Sequence, residues 1–128
     1  MELEGALSVS INTSSSTPQK GEQFTLTCIA TKSSLLENSP TVDWYDGMGN
    51  RIVSSATDGI IVDILLVSGL EFKRSIVFSS LDISHSREYR CNAIIHTVAP
   101  PYIITKEATW NVLVSSMIVT LMDTQQCS

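Results

Sequence analysis

A chain of 128 residues, 43% hydrophobic and 16% charged, has room for one core of ordinary size and too apolar a balance for a disordered polymer. Its formal net charge is −5, and Lys20, Lys32, Arg51, Lys73, Arg74, Arg87, Arg90 and Lys106 are scattered, so no basic stripe exists to track a phosphate backbone and no nucleic-acid partner is expected. The apolar stretch from Val112 to Met122 is broken by Ser115, Ser116 and Thr120 and falls short of the ~20 residues that cross a bilayer as a helix.

The N-terminal MELEGALSVS carries glutamates where a secretory leader carries positive charge, so no export signal is read there. That leaves an intracellular protein or an excised extracellular module. Val9 and Ile11 then alternate with polar residues as a short edge-like strand, followed by the polar run NTSSSTPQKG. Within this region Asn12-Thr13-Ser14 is an N-glycosylation acceptor. EQFTLTCIA places Phe24, Leu26, Cys28 and Ala30 on one side and Thr25, Thr27 and Ile29 on the other, the period of a half-buried strand.

TKSSLLENSP is polar enough for a loop, and TVDWYDGMGNRI reads as a strand, a turn over Asp46 to Asn50 and a return strand. GIIVDILLVSG is bounded by glycines and reads as one strand, although periodicity alone leaves a buried helix open. KRSIVFSSLDI alternates through Ile76 and Phe78, EYRCNAIIH through Tyr89, Cys91, Ala93 and Ile95, and ATWNVLV through Ala108, Trp110, Val112 and Val114. Seven or eight short strands without a convincing amphipathic helix imply an all-β antiparallel sandwich or barrel.

Cys28 and Cys91 fall on the inward side of their strands, Trp44 lies between them, and Tyr89 precedes the second cysteine by two residues. This constellation resembles the immunoglobulin superfamily domain. The resemblance implies an immunoglobulin-like two-sheet Greek-key sandwich in which a Cys28–Cys91 disulfide bridges the sheets. Trp44 would pack on that bridge and the Tyr89 hydroxyl would bond backbone at a corner. It extends from about Ala6 to Ser115, so residues 1–115 form one domain and 116–128 a tail or linker. RIV corresponds to a C′ strand, and the short interval from Trp44 to Cys91 leaves little room for a C″ strand, which favours an intermediate (I-type) or short variable-type domain. Two places depart from the pattern: His85 and Arg87 stand where the family usually carries an aspartate and a glycine. No Gly-x-Gly bulge precedes the last strand, which argues against an antibody-like variable domain.

A bridge closing so long a loop restricts the unfolded chain, a contribution of roughly 4 kcal/mol. Such bridges persist outside the reducing cytosol and imply a secreted or cell-surface setting; the alternative is a pair of buried free thiols in an intracellular sandwich of the muscle type. The odd cysteine, Cys127, sits in the tail SSMIVTLMDTQQCS as a free thiol, a cross-chain link or an appended residue.

His85 and His96 are the only histidines, and no nucleophile elbow, phosphate loop or metalloprotease helix motif occurs. A non-catalytic chain without metal or cofactor is expected. If Tyr89, Cys91 and Ala93 face inward, then Arg90, Asn92, Ile94 and His96 face outward, as does Tyr45 beside Trp44. Tyr45, Ile94 and His96, with Pro101 and Tyr102 in the VAPPYI loop beyond, are the candidate partner-binding residues, and Pro100 and Pro101 stiffen that loop. The resemblance adds that immunoglobulin modules bind through this sheet face or the end loops. The expected function is protein recognition in the extracellular part of a cell-surface receptor, a receptor tyrosine kinase among them, or of a cell-adhesion protein. The parent would be held in the membrane by a segment outside this chain and would bind a protein ligand or a second copy as a homodimer. The alternative is a spacer module in a tandem array with no ligand of its own.

Overall fold

The computed structural model describes residues 7–98 and 100–116. Eight strands run in chain order: β1 (Leu7–Thr13), β2 (Phe24–Lys32), β3 (Thr41–Asp46), β4 (Ile60–Val62), β5 (Leu66–Ser68), β6 (Glu71–Phe78), β7 (Glu88–His96) and β8 (Ile103–Asn111). The period-two patterns of β2 and β7 place every second side chain in the core, so both strands sit at the centre of their sheets. One sheet has the order β1-β2-β6-β4, with β5 also paired to β6, and the other has the order β3-β7-β8. All strand pairs are antiparallel. The architecture is an immunoglobulin-like Greek-key sandwich.

The sheets are joined by the Cys28–Cys91 disulfide, whose Cα atoms lie 6.3 Å apart. Trp44 stands directly across from Cys91 in the β3–β7 ladder, which brings its indole beside the bridge. All three are buried, along with Phe24, Leu26, Ile76, Phe78, Tyr89 and Ile95. The indole N–H is not left unpaired, since Nε1 donates to the Arg74 carbonyl at 2.9 Å. Arg74 also donates from Nη1 to the Val42 carbonyl and the Asp43 carboxylate, both at 3.2 Å, which closes the margin between β6 and β3.

At the opposite end the Tyr89 hydroxyl donates to the His85 carbonyl at 2.8 Å. His85 ends a single 3₁₀ turn, Ile83–His85, and is buried. Its Nδ1 accepts from the Asp82 amide at 2.9 Å, so Nε2 carries the proton and donates to the Asp58 carbonyl at 2.7 Å. The ring packs 5.0 Å from Phe78, which meets Tyr89 edge-on at 5.5 Å. The imidazole thus ties its own turn to the Asp58 segment and packs on Phe78, at the position where the immunoglobulin resemblance implies an acid. Arg87 reaches back over Tyr89, its Nε donating to the hydroxyl oxygen at 3.3 Å.

Three expectations need correction. The run from Gly59 to Gly69 is two strands, because an extra residue bulges the chain against β6: Val62 pairs with Ile76, yet Leu66 pairs with Lys73. The RIV segment forms no strand; Arg51 makes a single bridge to Tyr45 after a turn in which Asp46 accepts amide bonds from Met48 and Asn50. Gly49 takes φ +90° there, open to glycine at little cost. Those bonds, the Asn50 amide first, hold the Asp46 carboxyl below its ordinary value. Finally, Trp110 is 39% exposed, because β8 and the β1 strand it lies against are both outermost strands, and the inward residues that follow it are Val112 and Val114. The expected tail 116–128, with Cys127, lies outside the described residues beyond Ser116.

Two outcomes test this core. In protein unfolded without reductant, thiol reagents should find one reactive cysteine of the three, and replacing Cys28 and Cys91 together by alanine should lower the urea-unfolding free energy by roughly 4 kcal/mol. Burial pushes the Tyr89 phenol above its ordinary value. A raised folded value means the fold favours the neutral phenol, a contribution present below the unfolded value near 10 and lost as pH climbs through the folded one. Tyr89→Phe should therefore cost roughly 1–2 kcal/mol at neutral pH and flatten the alkaline fall in stability measured by urea titration.

Candidate functional site

One end of the sandwich carries the β2–β3 loop, residues 33–40, and the β7–β8 loop, residues 97–102. The first is held in shape from within. The Lys32 ammonium, at the end of β2, donates to the Leu36 and Asn38 carbonyls at 2.8 and 2.9 Å, and the Leu36 amide donates to the Ser33 carbonyl at 3.1 Å. Asn38 then reaches across, its Nδ2 donating to the His96 carbonyl at 2.8 Å. This bond ties the first loop to the last residue of β7, where the second loop begins.

The second loop is closed by the Thr97 amide donating to the Tyr102 carbonyl at 2.9 Å. Tyr102 sits at φ +73°, left-handed backbone that costs a non-glycine residue roughly 1–2 kcal/mol. The strain is offset by the closed hairpin around it. The residue remains 56% exposed.

Between the loops lies a cavity of about 290 Å³. Leu35, Leu36, Val98, Pro100, Pro101 and Ile104 make its apolar wall, and Glu37, Asn38 and His96 supply polar groups at its lining. A volume at the bottom of the ~300–1,000 Å³ range of ligand cavities suits one inserted side chain better than a whole metabolite. Glu37 is the one carboxylate in the lining, while the nearby Lys32 ammonium is already occupied by carbonyls.

The residues singled out from sequence divide in space. His96 and Pro101 line the cavity and Tyr102 follows directly in the same loop. Ile94 is half-buried two residues back along β7, opposite Thr41. Tyr45 is half-buried opposite Arg90, four residues along β3 from Thr41 and so roughly 13 Å from the Ile94 level. The level between them belongs to Asp43 and Asn92, and Asp43 is ion-paired to Arg51 at 3.0 Å and to Arg74 at 3.2 Å. The face is therefore polar at its middle, and the apolar surface gathers at the loop end. Asn12 is exposed on β1, on the outer face of the other sheet.

Leu35 and Leu36 escaped the reading of the chain, because a polar loop sequence says nothing about which of its residues will meet another loop; Val98 stands in the VAPPYI loop that the reading marked, though not among the residues named from it. Two adjacent leucines inside TKSSLLENSP were the available signal. Among the described residues no group of three or more His, Cys, Asp or Glu side chains is placed to hold a metal, and no helix is long and apolar enough to cross a membrane. No known protein-family model matches the chain, and no curated protein matches it.

Because glycine takes this backbone conformation without strain, Tyr102→Gly should raise thermal stability by about 1 kcal/mol while removing the exposed ring. A melting temperature equal to or below that of the parent chain contradicts it.

Proposed function

We propose that this chain is an extracellular, non-catalytic immunoglobulin superfamily module of a cell-surface receptor or cell-adhesion protein, and that it recognises a protein ligand through the end formed by the β2–β3 and β7–β8 loops. The observation that carries the reading is the apolar cleft between two loops already fixed by Lys32 and Asn38. Little conformational freedom is left there to be lost on binding, so exposed Leu35, Val98 and Tyr102 offer contact area at low entropic cost.

The sheet-joining disulfide is compatible with an oxidising compartment, and the exposed sequon at Asn12 supports export. A glycan on Asn12 would shield the outer face of the β1-β2-β6-β4 sheet and leave the loop end and the β3-β7-β8 face for a partner. His96 joins these two surfaces, since it lines the cleft and follows Ile94 on the outer face of β7.

The test uses fluorescent tetramers of the oxidised chain on a panel of cells from the source organism. Staining should appear on a subset of cells and fall at least about tenfold with Val98→Asp or Leu35→Asp, each of which puts a charge on the cleft wall. Staining that is indifferent to both changes places recognition elsewhere. No staining on any cell favours the spacer alternative.

A further inference from the structure

Two apolar surfaces stand open on this sandwich, and they differ in the charges beside them. On the outer margin of β5, Ile64, Leu66 and Val67 are exposed beside both an acid, Asp63, and a base, Lys73, so the surroundings select no partner by charge. The loop-end cleft carries charge of one sign. Among the described residues its lining holds Glu37 and no lysine or arginine. Glu37 is exposed, and its carboxylate makes no hydrogen bond or ion pair among the described residues.

The chain does not neutralise this acid from within. Lys32 is the nearest base in sequence, and its ammonium is turned to the Leu36 and Asn38 carbonyls, the two that flank Glu37, at 2.8 and 2.9 Å. Those bonds set the positive group to holding the loop backbone and not the carboxylate. Lys106 is two residues beyond Ile104 on β8, roughly 7 Å along the strand from the cleft wall, and forms no ion pair among the described residues. The chain as a whole, at a net charge of −5, supplies no positive surplus to offset Glu37.

We infer, resting on the loop-end reading above, that the cleft takes an aliphatic side chain of a protein ligand while Glu37 takes an arginine of the same ligand. The apolar wall supplies affinity for the first, and an unpaired acid beside that wall selects the second. Arginine suits the place better than lysine. Its stem lies along apolar surface, its guanidinium is less strongly hydrated than an ammonium, and its planar fork meets a carboxylate with two parallel bonds. In an extended segment residues two apart face the same way, so the simplest such ligand carries leucine and arginine separated by one residue. An exposed ion pair shifts an equilibrium by no more than about fivefold and weakens with salt, so the arginine sets the choice of ligand and the aliphatic side chain sets the strength.

The probes are acetyl-Leu-Gly-Arg-amide, acetyl-Leu-Gly-Glu-amide and acetyl-Gly-Gly-Arg-amide, titrated into the full oxidised chain and followed by NMR at Leu35, Leu36, Val98 and Ile104. In ~20 mM salt the first should bind at least about threefold more tightly than either of the others, and its margin over the glutamate peptide should close in ~1 M salt. Glu37→Gln should make the arginine and glutamate peptides equal, and Glu37→Lys should reverse their order; both changes fall on an exposed side chain. On cells, tetramer staining should fall at least about threefold with Glu37→Lys and stay unchanged with Asp63→Lys, the same change of charge outside the cleft. Equal binding of the arginine and glutamate peptides to the parent chain overturns the inference, as does the absence of any shift up to ~50 mM peptide. Staining lost with Val98→Asp yet indifferent to Glu37→Lys also overturns it while the loop-end reading stands. Staining indifferent to both changes defeats that reading and the inference together.

Discussion

The structure depends first on a covalent bond between two layers that otherwise meet through apolar contact and the few polar bonds that Trp44 and Arg74 make between β3 and β6. Cys28 and Cys91 are separated by 63 positions, and the closed loop contains the second half of β2, all of β3, β4, β5 and β6, and the start of β7. Tying its ends removes a large part of the freedom of the unfolded chain, an effect comparable to a third or more of the net stability of an ordinary domain at roughly 5–15 kcal/mol. The packing around the bridge follows from the register. Trp44 opposite Cys91 fills the space beside the sulfurs, and its one polar atom reaches a β6 carbonyl, so the bulkiest side chain in the core leaves no donor unpaired.

A second constraint operates at the far end. Tyr89, His85 and Phe78 form a cluster in which a phenol hydroxyl and both imidazole nitrogens are satisfied by backbone. The chain reaches the same corner geometry that the family resemblance implies while using a neutral ring where a charged pair is usual. A buried ion pair must offset the desolvation of both charges, whereas this arrangement desolvates none. The corner also positions Ser86, whose hydroxyl accepts from the Val114 amide at 2.9 Å and so fixes the chain as it leaves β8.

With both ends of the core secured, the surface can carry features that a softer scaffold would not hold. The strained Tyr102 backbone persists because the hairpin is closed on both sides, and the β2–β3 loop keeps its form because a lysine ammonium fills its carbonyls. The cleft at the loop end and the aliphatic β5 margin are separate surfaces, joined only where the Lys32 amide donates to the Leu70 carbonyl at 3.0 Å.

The primary sequence by itself determined the strands whose two faces meet different surroundings. Phe24, Leu26, Cys28 and Ala30, and Tyr89, Cys91, Ala93 and Ile95, alternate with polar residues because one side of each strand meets the core and the other meets water, and this difference is written locally. The cysteines, Trp44 and Tyr89 were legible for the same reason. Only the tertiary structure decided the fate of residues whose surroundings depend on distant segments. The aliphatic run after Gly59 resembles a buried strand, yet a bulge splits it and a sheet margin leaves much of it in water. Trp110 has the inward phase of β8 but lies where the sandwich ends. Leu36 is buried and Leu35 exposed in one polar loop because another loop closes over the first alone. Hydrophobicity states that a side chain gains from leaving water; which neighbours arrive to cover it is settled by packing between segments far apart in the chain.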